Sequence, residues 1–244
     1  MPDPSERETS DPLDDELAHR RSGQGENRLV PVGAVAVAVV AYALLPENLL
    51  FAPRYVIAGV EVVLLATLVV SNPRRIVRRT RLSRVASTLL AAIVIVTNLV
   101  ALGMLVSSLT QPATSGGSLL LGAMQVWLTN VIGFALLYWE LDRGGPVARR
   151  RVRRDELPPA DWRFSHDENG DNVSEVAATS SEQSGWVPTF VDYLYLSLTN
   201  SSAFSPTDTM PLSTRAKALM GLEATAALLT TLLVIARAVG SLTG

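Results

Sequence analysis

Five apolar stretches, joined by links that alternate between arginine-rich and nearly uncharged, constrain this chain more than any other feature. They run roughly Leu29–Pro46, Tyr55–Val70, Val85–Val106, Ser118–Trp139 and Ala216–Val239. A hydrocarbon core is crossed by about 17–25 apolar residues, so each stretch, alone or with its flanks, is long enough to span. The link from Asn72 to Arg84 holds six arginines and no acid. The segment after the fourth stretch carries Arg143, Arg149, Arg150, Arg151, Arg153 and Arg154. The Ser107–Gly117 link has no charge, and the Pro46–Pro53 link has only Glu47. Loops enriched in Lys and Arg stay on the cytoplasmic side. Both arginine-rich links fall on one side when the N-terminus is cytoplasmic. The reading is an all-α multi-pass transmembrane bundle of the cell membrane, with lipid as its principal partner.

Helix ends are written in the same residues. Pro46 and Pro53 bracket the first turn, and Asn72-Pro73 stops the second stretch. Proline donates no backbone hydrogen bond and disfavours helix in the residue before it. Gly144-Gly145-Pro146 closes the fourth stretch in the same way. Residues 1–28 carry eight acids and four arginines with almost no apolar pattern. Such a segment buries too little surface to offset its ordering entropy and is expected to be a disordered cytoplasmic tail. It lacks the pattern of a cleaved signal peptide, so the first stretch is read as a retained helix. Residues 29–143 are then the four-helix part. The polar link 144–187, with Pro158-Pro159 and a Ser/Thr-rich part near 179–184, is expected to be a flexible cytoplasmic loop.

Several chemistries are excluded. The chain has no cysteine, so disulfides, thiol catalysis and cysteine-held metals are absent. Its histidines, His19 and His166, lie outside the apolar stretches, and no HExxH, phosphate-loop or dinucleotide-turn motif occurs. The run from Asp167 to Asp171 starts no calcium loop, because the sixth position is Asn172 in place of glycine and the twelfth is Ala178 in place of glutamate. The expectation is a protein with no enzymatic activity, no cofactor, no metal and no nucleic-acid partner. The arginine runs read as topology signals and anionic-lipid contacts.

Polar residues inside the apolar stretches are the exceptions that need a reason. Glu61 lies in the second stretch, Asn98 in the third, Gln125 and Asn130 in the fourth, and Glu223 in the last. A carboxylate at bilayer centre costs about 2.5–3.5 kcal/mol, so it faces a bundle interior, finds a partner or is protonated. Asn98, Gln125 and Asn130 read as interhelical hydrogen-bonding residues. Glu61 and Glu223 leave two readings open, an ion path or the same kind of interhelical contact.

The segment Trp186–Ala218 is the least ordinary. Its apolar part, Phe190–Phe204, is about 22 Å long as a helix, short of a ~30 Å core. A short helix, a polar proline-bounded turn and a full-length helix suggest a re-entrant hairpin, with a sixth span as the alternative. This block contains Asp192-Tyr193-Leu194-Tyr195, the run Ala203–Pro211 and Ala216-Lys217. With Asn130–Phe134 and Trp139–Pro146, it resembles a widespread family of uncharacterised bacterial multi-pass membrane proteins. That resemblance implies a bacterial inner-membrane location and no particular activity.

The block is also similar in layout to the pore-loop segment of tetrameric cation channels. Ser197–Ser202 resembles the end of a pore helix, Asp208-Thr209-Met210-Pro211 has the acid-x-x-proline spacing, and Ala216 onward stands for the inner helix. The resemblance implies a homo-tetramer with Asp208 as an acidic ring, Thr199 and Ser202 at the mouth, and Glu223 facing the pore. With Glu61 these make the candidate ion path. No glycine lies between Thr199 and Asp208, which does not fit a potassium-selective carbonyl filter. The alternative is a non-conducting structural or interaction protein whose tail and loop bind partners.

Overall fold

The computed structural model describes residues 26–27, 29–44, 59, 62–63, 66, 75–76, 81–108, 116–168, 173–203 and 208–242. The principal helices are α1 (Leu29–Ala43), α2 (Arg81–Ser108), α3 (Gly116–Leu141), α4 (Pro146–Arg151), α5 (Phe190–Ala203) and α6 (Thr214–Leu242). Two short antiparallel ribbons accompany them. Strand β1 (Glu26–Asn27) pairs with β2 (Arg75–Ile76), and β3 (Trp162–Phe164) pairs with β4 (Thr209–Pro211) in the register Trp162↔Pro211, Phe164↔Thr209.

Local chemistry sets the helix starts. Asn27 Oδ1 accepts from the Leu29 amide at 3.0 Å ahead of α1, and Ser213 Oγ accepts from the Ala216 amide at 3.1 Å ahead of α6. Both occupy the capping position that short polar side chains favour. Asp192 closes the start of α5 by reaching back: the Thr189 amide and hydroxyl both donate to Asp192 Oδ2, at 2.7 and 2.8 Å. At the end of α3 the backbone turns through Arg143 (φ 48), Gly144 (φ 77) and Gly145 (φ 91). A Cβ at Gly145 would stand 3.1 Å from the Glu140 carbonyl oxygen, so glycine is required there on two counts.

Contacts fix the helix directions. Asn98 meets Asn130, and Val94 lies against Gly133, so α2 and α3 are antiparallel. Tyr193 meets Asp142, and Ser197 meets Val131, so α5 runs antiparallel to α3. Arg215 meets Leu141, and Glu223 meets Asn130, so α6 does too. Helices α5 and α6 therefore both lead away from the same end of the bundle, and β4 lies at that end too. The same end holds β1, β2, the α3–α4 turn and β3. It thereby collects the arginine-bearing connectors.

Among the described residues, three helical segments are long and apolar enough to cross a membrane: Val85–Ser107, Leu119–Gly144 and Thr214–Ala236. Their outward faces carry Leu89, Val96, Leu120, Met124, Leu222, Leu229, Leu232 and Ile235, all exposed. An apolar exterior of this extent is what lipid, rather than water, accommodates. The first stretch forms an apolar helix of 15 residues, shorter than a span. The second stretch lies outside the described residues except at positions 59, 62–63 and 66. The described residues thus show three full-length helices, and a count of five spans rests on these two stretches.

Two expectations are corrected. Glu26 and Asn27 do not share the disorder expected of the tail: they pair with β2, and Glu26 is buried. The 144–187 link is not a featureless loop. It supplies α4 and β3, two single-turn helices (Ser174–Ala177 and Ser181–Ser184), and Trp162, which is fully buried. Trp162 packs on Tyr138 and Tyr193 with ring centroids 4.6 and 6.4 Å apart, and its indole N–H reaches Met220 Sδ at 3.2 Å. Proline and charge occupy the surface of this segment, but its aromatic residues need a place to go.

Candidate functional site

Buried polarity is most concentrated where α3, α5 and α6 cross. Glu223, on α6, has no exposed surface. Ser197, Asn200 and Ser201 stand at i, i+3 and i+4 on α5, which places them on one helix face. All three reach the Glu223 carboxyl group. Asn200 Nδ2 donates to Oε2 at 2.6 Å, Ser201 Oγ to Oε1 at 3.2 Å, and Ser197 Oγ contacts Oε1. From α3, the Tyr138 hydroxyl donates to Oε2 at 2.6 Å.

The network extends laterally. Asn130 Nδ2 donates to the Glu223 backbone carbonyl at 3.3 Å, and Asn98 Nδ2 donates to Asn130 Oδ1 at 3.3 Å. Thr129 Oγ1 donates to Asn98 Oδ1 at 2.5 Å. One polar chain thus links α2, α3, α5 and α6 within a largely apolar interior. In hydrocarbon such bonds hold helices together because no water competes for them.

The electrostatics are unusual in one respect. Every group bonded to the Glu223 carboxyl group is neutral. The Ser197 hydroxyl also lies 2.8 Å from the Val131 carbonyl oxygen, yet it has one proton to give. No group of three or more His, Cys, Asp or Glu side chains that could hold a metal ion occurs among the described residues.

At the arginine-bearing end, Glu26 accepts from the Phe190 amide at 2.6 Å and from the Trp139 indole at 3.2 Å. Burial pushes its carboxyl group above the ordinary carboxylate range; the charge of Arg149 and these two hydrogen bonds pull the other way. Nearby, the buried Asp161 accepts from Ser213 and from both Arg215 Nε, at 2.7 Å, and Arg215 Nη2. That ion pair fastens the β3 strand to the start of α6.

The candidate ion-path residues are not brought together. Glu223 points into its own chain's interior. Thr199 is partly buried and bonds the carbonyls of its own helix, Tyr195 and Leu196, at 2.9 and 3.0 Å. Ser202 is exposed on α5, and Asp208 is exposed just before β4 at the arginine-bearing end. Glu61 lies outside the described residues. Asn98 and Asn130, read as interhelical hydrogen-bonding residues, do meet. Tyr138 is not singled out by the sequence as a site residue; the i, i+3, i+4 spacing of Ser197, Asn200 and Ser201 marks one polar face of α5 but does not name its partner. No family model, no curated protein and no solved structure matches this chain.

Proposed function

We propose that the chain is a multi-pass protein of the bacterial cell membrane, with its arginine-bearing end in the cytoplasm, acting as a non-conducting structural or interaction unit. In this reading α1 and the Tyr55–Val70 stretch complete five spans, and α5 is a re-entrant helix. The single observation that carries the proposal is the satisfaction of Glu223. Four donors from one chain surround its carboxyl group, and it has no exposed surface. A group lining an aqueous path keeps a face to water; this one does not. The partner-binding surface would be the folded cytoplasmic cap built from α4, β3 and β4.

A second reading, a pore formed by four copies, is favoured by the order of a short α5, a β4 strand at the end from which α5 departs, and a full-length α6. Asp208 and Ser202 are exposed, as that reading requires. Cation flux into liposomes loaded with the purified chain separates the two. The first reading expects flux equal to that of protein-free vesicles. Flux above that background, lost in Asp208→Asn, would establish the second.

A further inference from the structure

Arg149 is the least satisfied charge among the described residues. It lies on α4 and is 1 % exposed. Its Nη1 donates to the carbonyls of Trp139 and Asp142, both at 2.8 Å, which caps the end of α3. Its guanidinium carbon sits 4.9 Å from the centroid of the Tyr193 ring. A guanidinium has five N–H groups. The two on Nη1 are used, whereas Nε and Nη2 are buried with no hydrogen-bond partner. Glu26 feels the charge of Arg149, but its oxygens are engaged by Phe190 and Trp139. Leaving buried donors of a charged group without acceptors is strongly unfavourable, so such a group calls for an acceptor, and an anion is one that would serve.

Arg149 lines a cavity of about 370 Å³ at the arginine-bearing end, together with Arg143, Arg154, Pro158, Asp167 and Val187. The lining is basic: three guanidiniums face one carboxylate. Asp167 is shared by Arg143 and by Arg154, the latter at 3.0 Å, and offers nothing to Arg149. The cavity has the size range of a small-ligand site. Its proline and valine walls suit an ester or glycerol chain beside the anion. Guanidinium groups bind phosphate through paired, charge-assisted hydrogen bonds. Basic pockets beside membrane helices on the cytoplasmic face take phosphate-bearing headgroups.

We infer that this cavity binds a phosphate group, either that of an anionic phospholipid or a free phosphate, with Arg149 as the buried contact and Arg154 as the gate-side contact. The inference holds whether or not the protein conducts ions.

The test uses the full chain in a neutral detergent, with thermal unfolding followed by tryptophan fluorescence. Short-chain phosphatidylglycerol, short-chain phosphatidylcholine and inorganic phosphate are the three probes. Phosphatidylglycerol is expected to raise the unfolding temperature saturably, and phosphatidylcholine is not. A matching saturable shift with inorganic phosphate identifies the free anion; a shift with phosphatidylglycerol alone identifies the headgroup. Arg149→Gln should abolish the effect. Because this buried variant can fail to fold, Arg154→Gln is the deciding variant: its half-saturation should rise about tenfold, the loss of one charge-assisted contact. Arg153→Gln, altering an exposed arginine outside the lining, should change nothing. Equal shifts from both lipids with none from phosphate, an unchanged Arg154→Gln, or an equal loss in Arg153→Gln would each overturn the site.

Discussion

The Tyr138 hydroxyl donates to Glu223 Oε2 at 2.6 Å, joining two residues 85 positions apart with both side chains removed from solvent. That bond makes α3 and α6 interdependent. It also explains why an acid survives in an otherwise apolar segment: its partners are built into the neighbouring helices rather than supplied by solvent. Glu223→Leu would leave Tyr138 and Ser201 without an acceptor, while Ser197 keeps the Val131 carbonyl and Asn200 the Met220 carbonyl, and is expected to cost about 2–5 kcal/mol for the two stranded donors. Glu223→Gln preserves shape and one acceptor oxygen and should cost about 1–2 kcal/mol. Tyr138→Phe should cost about 1 kcal/mol, and the double variant with Glu223→Gln should cost less than the sum. Unfolding in detergent, followed by circular dichroism, measures all three.

Much of this arrangement was legible beforehand and some was not. The helices α2, α3 and α6 follow from apolar runs whose ends are marked by arginine, glycine and proline. The gathering of the arginine-bearing connectors at one end follows from their alternation. The short α5 was legible from its length between Pro188 and Pro206. What the sequence concealed was the folded cap. Trp162 and Phe164 sit among charges and prolines, and only their burial beneath the β3–β4 ribbon shows them to belong to the core. The partners of Glu223 were concealed for a related reason. Periodicity shows which face of α5 a residue occupies, but not which helix that face meets.

Glu26 supplies a pH-dependent contact. Desolvation raises its folded-state pKa above the ordinary value of 4.5. Between the ordinary and the raised value the folded chain binds the proton more readily than the unfolded chain. Stability from this group is therefore fullest below 4.5 and declines as pH rises through the folded value. The free energy of unfolding in detergent is expected to be higher toward the acid side of that window. In Glu26→Gln the dependence should vanish.

Asp161 and Arg215 hold the cap to the bundle. Asp161 is buried, and its guanidinium partner lies on a different element, so removing the partner strands a carboxylate. Arg215→Gln should loosen the β3–β4 ribbon while leaving the helices intact. Limited proteolysis between residues 155 and 165 is expected to accelerate several-fold, with helical circular dichroism unchanged. Arg215→Lys should recover only part of the protection, because a lysine cannot reproduce the two-pronged contact made by Nε and Nη2.

Gly133 lets α2 and α3 approach closely. A Cβ placed there would stand 3.0 Å from Val94 Cγ1 and 3.1 Å from Ile95 Cγ1, both in side chains packed in the core. Two effects oppose each other in Gly133→Ala. The helix gains up to about 1 kcal/mol in intrinsic preference, and the contact loses a similar amount as the branched side chains shift. The net change should lie near zero. Gly133→Leu gains little more in preference but forces the helices apart, at about 2–3 kcal/mol. Moving α3 also displaces Asn130 from Asn98 and from the Glu223 carbonyl. Gly133→Leu combined with Asn98→Ala should therefore destabilise by less than the sum of the two, and a fully additive pair in detergent unfolding would show that the glycine and the polar chain act separately.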